Sequence, residues 1–575
     1  MTTNPAAKEP LLREEIADSC FMNSELGRGS KNGREVTGFG FCILCSYKLI
    51  ILWWRRWRLS ATDRLAPPCW PEFVPPGYLI TRRFCSYLAA DFFVSHERSK
   101  VLMRVGSVAY VFAFKGPLRH WPAMDVAQNG SFSMDRDKIA QALKATTSST
   151  DQAAAAVFLN EASQMVGFSP MMVHFLMDEH LNPSVRQAAV LYLKNLISQN
   201  WTQNDEDTPS FVLPEQDKQI IRQHIVDCIV ASPEAIRVQL CTGVQHIMRA
   251  DFPEQWPSVI DKVVSLLETT DGPSWLGALL VIHRLAKLYE YKRQKEKGPL
   301  IAAMQRLLPM MFQRLIALID DVSQESCLLQ KLILKTFFCL IQFSMNTDMF
   351  NIDSFNHWVE IFRRIIERPV PAEVDQLDDA EKTETVWWKC KKWALKIMNR
   401  IFDKYGSPGQ TEPHGYTAFA TAYLDNHAIP TVHTVLAVLH EKAVGNFVSE
   451  QVIYHGLSYL ANAVSHSKTW KAIKPYITEM TSSLIFPLMR HDDDDEELWD
   501  ENPEEFIRFK YDIFEDLHNP EAAAANFLQS ASKRKDILPA ILQFIVNVLS
   551  QSQDARDIDG ALHIVGELAE ALNRA

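Results

Sequence analysis

Ten carboxylates crowd the fourteen positions from Asp492 to Glu505, with no Lys or Arg among them. Such a run could hold a hard cation or meet a basic surface. A calcium loop needs oxygen ligands at alternating positions around a turn glycine. The run His491-Asp-Asp-Asp-Asp-Glu-Glu-Leu-Trp-Asp-Glu-Asn-Pro-Glu-Glu505 has neither feature. Left to itself it repels its own charge, so it reads as a solvated loop at 491–505 that a basic partner would neutralise. Asp492, Asp493, Asp494, Asp495, Glu496 and Glu497 are its candidate contacts, with Trp499 and Phe506 expected to pin its far end. The other chemistry-bearing groups say less. Cys42-x-x-Cys45 with Cys69 and Cys85 is too irregular, and too poor in neighbouring His, for a zinc site. Trp387, Trp388 and Trp393 recur at helical spacing as packing residues, and the interleaved Lys389, Lys391 and Lys392 read as a wet face. There is no P-loop, G-x-G-x-x-G, H-E-x-x-H or G-x-S-x-G, and the histidines are scattered singly. No enzyme activity, cofactor or metal is expected.

The elements that must position these groups are helices. Asn182 suits an N-cap and Pro183 the first helical position. Val185, Ala188, Ala189, Tyr192, Leu193 and Leu196 then form one apolar stripe, narrow enough at the alanines for a neighbouring backbone to approach. A related start returns at Ser232-Pro-Glu-Ala-Ile-Arg-Val-Gln-Leu240, followed by Asp251-Phe-Pro-Glu-Gln-Trp-Pro257. Arg186 and Arg237 fall at equivalent positions, which suggests a hydrogen-bond ladder between repeats. Amphipathic segments continue to the end of the chain, with anchor helices near 184, 234, 274, 327, 386, 451, 520 and 557. That period fits HEAT-type helix pairs carrying insertions. No such pair buries its apolar face alone, so the fold class is all-α, a superhelical solenoid of stacked repeats.

The chain has 575 residues, 47% hydrophobic and 22% charged, too long for one compact core. Its net charge of -11 is uneven: residues 1–133 hold 17 Lys/Arg and 11 Asp/Glu (+6), and 134–575 hold 42 and 59 (-17). An acidic body argues against direct nucleic-acid binding and favours basic partners. The apolar run 41–54 contains Lys48 and is too short to span a bilayer, so no membrane insertion is expected. Prolines at 67, 68, 71, 75 and 76 break any periodicity. Residues 1–133 therefore read as a non-core, largely unstructured extension, with Met134 resembling a natural start. The repeats divide into 134–270 and 271–575, and the last helix stops without a polar cap, as a truncated array would.

With these residues in place, the chain resembles the importin-β superfamily over 134–575. Val185-Arg-Gln-Ala-Ala-Val-Leu-Tyr-Leu-Lys-Asn195 with Trp201, and Asp251-Phe-Pro-Glu-Gln-Trp-Pro257, carry the general likeness. Trp275-Leu-Gly-Ala-Leu-Leu280, Val386-Trp-Trp-Lys-Cys-Lys-Lys-Trp-Ala394, Tyr405-Gly-Ser-Pro-Gly409 and Glu497-Leu-Trp-Asp-Glu-Asn-Pro-Glu-Glu-Phe-Ile-Arg508 resemble the branch of importin seven and importin eight. The resemblance implies a nuclear import receptor that binds the small GTPase Ran, carries protein cargo through the pore on phenylalanine-glycine nucleoporins, and releases it on Ran-GTP binding. It implies Ran contacts at Lys194, Asn195, Trp201, Asp251 and Trp256, and gives the acidic loop Ran's basic face or a basic cargo as partner. Ribosomal proteins and histones are the implied cargoes, and shuttling between cytoplasm and nucleus the implied localisation. The rival expectation is a HEAT scaffold that assembles proteins without Ran.

Overall fold

The computed structural model describes residues 135–574 apart from 147–150, 204–210, 408–414 and 511–518, together with three strands nearer the N-terminus. The chain divides into two units, Met1–Gly116 and Pro117–Ala575. In the first, β1 (Ala90–Val94), β2 (Lys100–Val105) and β3 (Val108–Ala113) form an antiparallel sheet in the order β1-β2-β3, with Ala90 opposite Val105 and Val105 opposite Val108. These strands lie within the stretch expected to be a largely unstructured extension. Runs such as Val-Leu-Met-Arg-Val and Val-Ala-Tyr-Val-Phe-Ala have the β-branched and aromatic content that strands favour. The apolar run 41–54, Met134 and the cysteines at 20, 42, 45, 69 and 85 lie outside the described residues.

In the second unit every described element is helical. Its backbone is a ladder in which each anchor helix packs directly on the next. Pro183–Asn200 packs on Glu234–Asp251, then come Gly272–Tyr289, Gln324–Ile341, Val386–Lys404, Glu450–Val464 and Pro520–Ser532, with Ala555–Glu567 against the last. These are the eight anchors read from the sequence, and the ladder runs without a break across residue 270. A companion helix precedes most rungs, as Phe168–Met177, Glu215–Ala231 and Ser258–Leu267 do for the first three. One contiguous apolar core follows the array from Ile139 to Leu568.

A glycine sets one close approach, between rung Gly272–Tyr289 and companion helix Glu215–Ala231. A Cβ added at Gly277 would lie 2.6 Å from the Val230 side chain, so only glycine lets these two helices approach as they do. Basic side chains close the helix ends, whose last carbonyls have no partner within the helix. Arg186 Nη2 donates to the Leu176 carbonyl at 2.9 Å and Arg237 Nη2 to that of Ser232 at 2.8 Å. Each thus caps its own companion helix, which corrects the expectation of a bond between repeats. Such a crossing bond does occur where Arg534 Nε donates to the Val464 carbonyl at 2.8 Å. Lys391 is also not on a wet face. It is buried, and its ammonium donates to the Ile366 carbonyl at the end of helix Ile352–Glu367. Burial, with Arg368 nearby, pulls its pKa down to about 8.

Candidate functional site

Two clusters carry the residues expected to meet partners. The first starts at Asn182, whose side chain accepts from the Ser184 amide at 2.9 Å and fixes the entry of helix Pro183–Asn200. Val185, Ala188, Ala189, Leu193 and Leu196 are buried as the stripe predicts, with Val190 and Ile197 beside them, and Tyr192 is half-buried. On the opposite side Asn195 is exposed and Lys194 half-buried, close enough to His246 on the next rung to lower that imidazole's pKa together with burial and Arg249.

Trp201, Asp251 and Trp256 are placed differently. They are 3%, 5% and 3% exposed, so the surface role implied for them is not one their side chains can fill as placed. They act as supports. Arg222, from helix Glu215–Ala231, joins two of them: its Nη1 lies 2.7 Å from the Asp251 carboxylate and its guanidinium 5.9 Å from the centre of the Trp201 ring. A second ion pair, to Glu215, holds the same guanidinium at the rim. The Asp251 carbonyl then accepts from the amides of Gln255 and Trp256, at 2.8 and 3.0 Å, and closes the Asp251–Pro257 turn. Periodicity could not reveal this, because Arg222 sits in a helix that is not itself an anchor.

The second cluster is the acidic run, and here the loop expectation is corrected. Residues Asp493–Glu501 form a helix, capped by Asp492, whose side chain accepts from the Asp495 amide at 2.8 Å while Asp495 reaches back to the Asp492 amide. Four carboxylates in its first turn face the positive end of the helix dipole, which favours the helix over a repelling coil. The neutralising charge comes from sixty residues away. Arg556 grips Glu496 with two nitrogens, at 2.6 and 2.5 Å, and its third lies 2.8 Å from Asp493. That guanidinium holds the Glu496 carboxyl below its ordinary pKa. Arg490 pairs with Asp557 at 2.9 Å and His491 with Asp559 at 2.9 Å, so the acidic helix is latched to helix Ala555–Glu567. Phe506 is buried, but Trp499 is 48% exposed and touches it edge-on at 5.3 Å, so only one of the two expected pins is internal. Asp492, Asp493, Asp494, Glu496 and Glu497 are exposed and Asp495 is half-buried.

The tryptophan motif resolves into packing, as its spacing predicts. Trp388 meets Phe447 at 5.3 Å, Trp393 meets Phe338 at 5.5 Å, and Trp387 donates to the Val322 carbonyl. Between helices Ala428–Ala443 and Ile477–Met480 lies a groove of about 340 Å³, lined by Leu436, Ala437, His440, Tyr476 and Met480 among others. Among the described residues no group of three or more His, Cys, Asp or Glu is placed to hold a metal ion. None of the described helices is long and apolar enough to cross a membrane.

Comparison with known proteins agrees with this architecture. Residues 155–231 match the importin-beta N-terminal domain and residues 233–368 the exportin 1-like protein family. Importin-8 of Mus musculus is 41% identical over 445 residues, covering 76% of this chain and 44% of its own length. The importin beta-like SAD2 homolog of Arabidopsis thaliana is 32% identical over 415 residues, covering 70% and 40%. The chain thus spans less than half the length of these curated relatives. Among solved structures, the exportin Cse1 in its cargo-free, cytoplasmic state superposes with a TM-score of 0.59 at 17% identity, covering 76% of this chain and 47% of that one, a likeness of fold. From its first matched repeat onward, the helical body of this chain belongs to the importin-β superfamily.

Proposed function

We propose that the chain is a nuclear transport receptor, or the N-terminal part of one, that binds Ran-GTP and protein cargo on a single helical ladder. The observation that carries this reading is the placement of the importin-beta N-terminal match on the first rungs, where Asn195 is exposed and Lys194 half-buried. The acidic helix Asp493–Glu501 supplies a second contact, to Ran's basic face or to a basic cargo. Cargo and Ran-GTP then compete through overlapping surfaces or through the curvature of the array. Each must weaken the other by the same factor. The groove lined by Leu436, Ala437 and Tyr476 together with His440 and Glu479 is the candidate site for phenylalanine side chains of nucleoporins. Such a receptor shuttles between cytoplasm and nucleus.

The test is a binding series against Ran loaded with a GTP analogue. Lys194→Ala with Asn195→Ala, and separately Asp493, Asp494 and Glu497 changed to their amides, should each weaken binding. Unchanged affinity in both variants at low salt would remove these residues from the interface. A chain that binds partner proteins but never Ran would be the Ran-independent scaffold.

A further inference from the structure

The five rungs from Pro183–Asn200 to Val386–Lys404 carry 14 Lys/Arg and 4 Asp/Glu, a net of +10. The body as a whole holds 42 and 59, so its remaining residues hold 28 and 55, a net of -27. Charge is therefore segregated along the array, with the positive share on its first five rungs, whereas the last three, Glu450–Val464, Pro520–Ser532 and Ala555–Glu567, hold 1 Lys/Arg and 5 Asp/Glu. The segregation is also local, because basic groups of consecutive rungs meet. Lys194 lies near His246, and Arg284 Nη1 donates to Gln245 beside it at 3.2 Å. Arg284, Lys287 and Lys335 surround His283, whose imidazole is pushed well below its ordinary pKa, by burial first and by these cations next. Lys335 sits 5.7 Å from the centre of the Trp393 ring on the following rung, and Lys396 reaches back to within 5.0 Å of the Phe338 ring. Arg284, Lys287, Lys335, Lys392 and Lys396 are all half-buried. The ammonium groups of Lys335, Lys392 and Lys396 lie 5.0–6.0 Å from the centres of the Trp393 or Phe338 rings, which hold them in place, while Lys287 pairs with Glu290 at 3.3 Å.

We propose that this line of cations, crossing successive rungs through Arg284, Lys335 and Lys396, is a docking surface for an extended acidic segment of a partner protein. The spacing supports a polypeptide. Packed helices stand about 8–10 Å apart, and three residues of a polyproline II chain span about 9 Å and return the side chain to the same face, so a carboxylate at every third position would meet one rung after another. A single-stranded nucleic acid fits less well. Binding of that kind relies on aromatic rings open to stacking bases. Here the Trp393 ring is approached by Lys335, Lys392 and Lys396 at 5.7, 6.0 and 5.1 Å. The strongly negative remainder of the body would also repel a long polyanion. The surface extends beyond Lys194 and does not depend on Ran: a chain indifferent to Ran would still bind the acidic segment.

The experiment uses fluorescence anisotropy with the full chain and a labelled peptide of about fifteen residues, built from Glu-Gly-Ser so that a glutamate recurs at every third position. A peptide of the same composition with its glutamates consecutive, and a single-stranded RNA of similar length, serve as competitors. The expected result is binding at low salt that favours the spaced peptide over both. Lys335→Glu with Lys396→Glu should weaken it at least about tenfold. The milder Lys335→Gln with Lys396→Gln should weaken it less while keeping the wild-type thermal unfolding, which separates lost charge from lost fold. Reversal of Lys533 and Lys535, which lie outside these five rungs, should leave binding unchanged. No binding of the spaced peptide, equal loss from the Lys533 and Lys535 reversal, or tighter binding of the RNA would each overturn the proposal.

Discussion

Replacing Asp251 with alanine tests whether the first cluster is a support or a contact. Arg222 and Asp251 side chains are 9% and 7% exposed and meet at 2.7 Å, so removing the carboxylate strands a largely buried guanidinium. Breaking a buried pair from one side costs about 3–5 kcal/mol. Glu215 remains as a second partner, 55% exposed and so only a partial replacement, which puts the expected loss somewhat below that range, at about 2–3 kcal/mol. A long repeat array need not unfold in one step, so a single melting temperature is a poor readout. Hydrogen exchange at Gln255 and Trp256 is better, because both amides bond to the Asp251 carbonyl and report opening of that turn. At about 1.4 kcal/mol per decade, their protection should fall about 30- to 150-fold. Asp251→Leu combined with Arg222→Met should restore most of it, since an apolar pair of similar size leaves no charge stranded. A fall of less than about threefold in the single variant would refute the support role, as would a double variant worse than the single one.

Two other outcomes follow from the electrostatics. Arg556→Ala should release the acidic helix, seen as faster exchange and easier proteolysis within 493–501, with a smaller difference from wild type at high salt; no change at low salt would show that the latch is idle. His283 resists protonation when folded, whereas in the unfolded chain it takes up a proton near pH 6.5. The unfolded state then binds more protons below that pH, so stability should fall as pH drops through about 6.5 and level off once the folded imidazole also titrates. His283→Leu should lose less urea stability than wild type between pH 7 and about 5.5, and equal losses would contradict the assignment.

The sequence made the rungs legible because their starts are written in local chemistry. Asn182-Pro183 caps its helix in the structure as its types predict, and Ser323 and Asn519 take the same place before later rungs. The alternation of burial along Pro183–Asn200 follows from spacing alone. Periodicity says which face of a helix is apolar, but not what covers the other face. Trp201, Asp251 and Trp256 stood as contact candidates on the resemblance alone, and their burial beside Arg222 and within the turn shows only once the fold is seen. Lys391 read as solvated until the end of helix Ile352–Glu367 is seen to receive it. The acidic run read as a loop because its own charge repels. The Arg556 that stabilises it as a helix is a tertiary partner that no local window contains. The basic line was present in the composition of the first five anchor helices, but it has meaning only once those helices are known to stack on one another.

The central claim, a Ran-regulated receptor, is tested most directly by the affinity of the full chain for Ran loaded with a non-hydrolysable GTP analogue and for the same Ran loaded with GDP. Such a receptor binds the GTP form more tightly by at least about tenfold, within the range typical of coupled sites. Equal affinity for the two forms, or binding to neither, would contradict it.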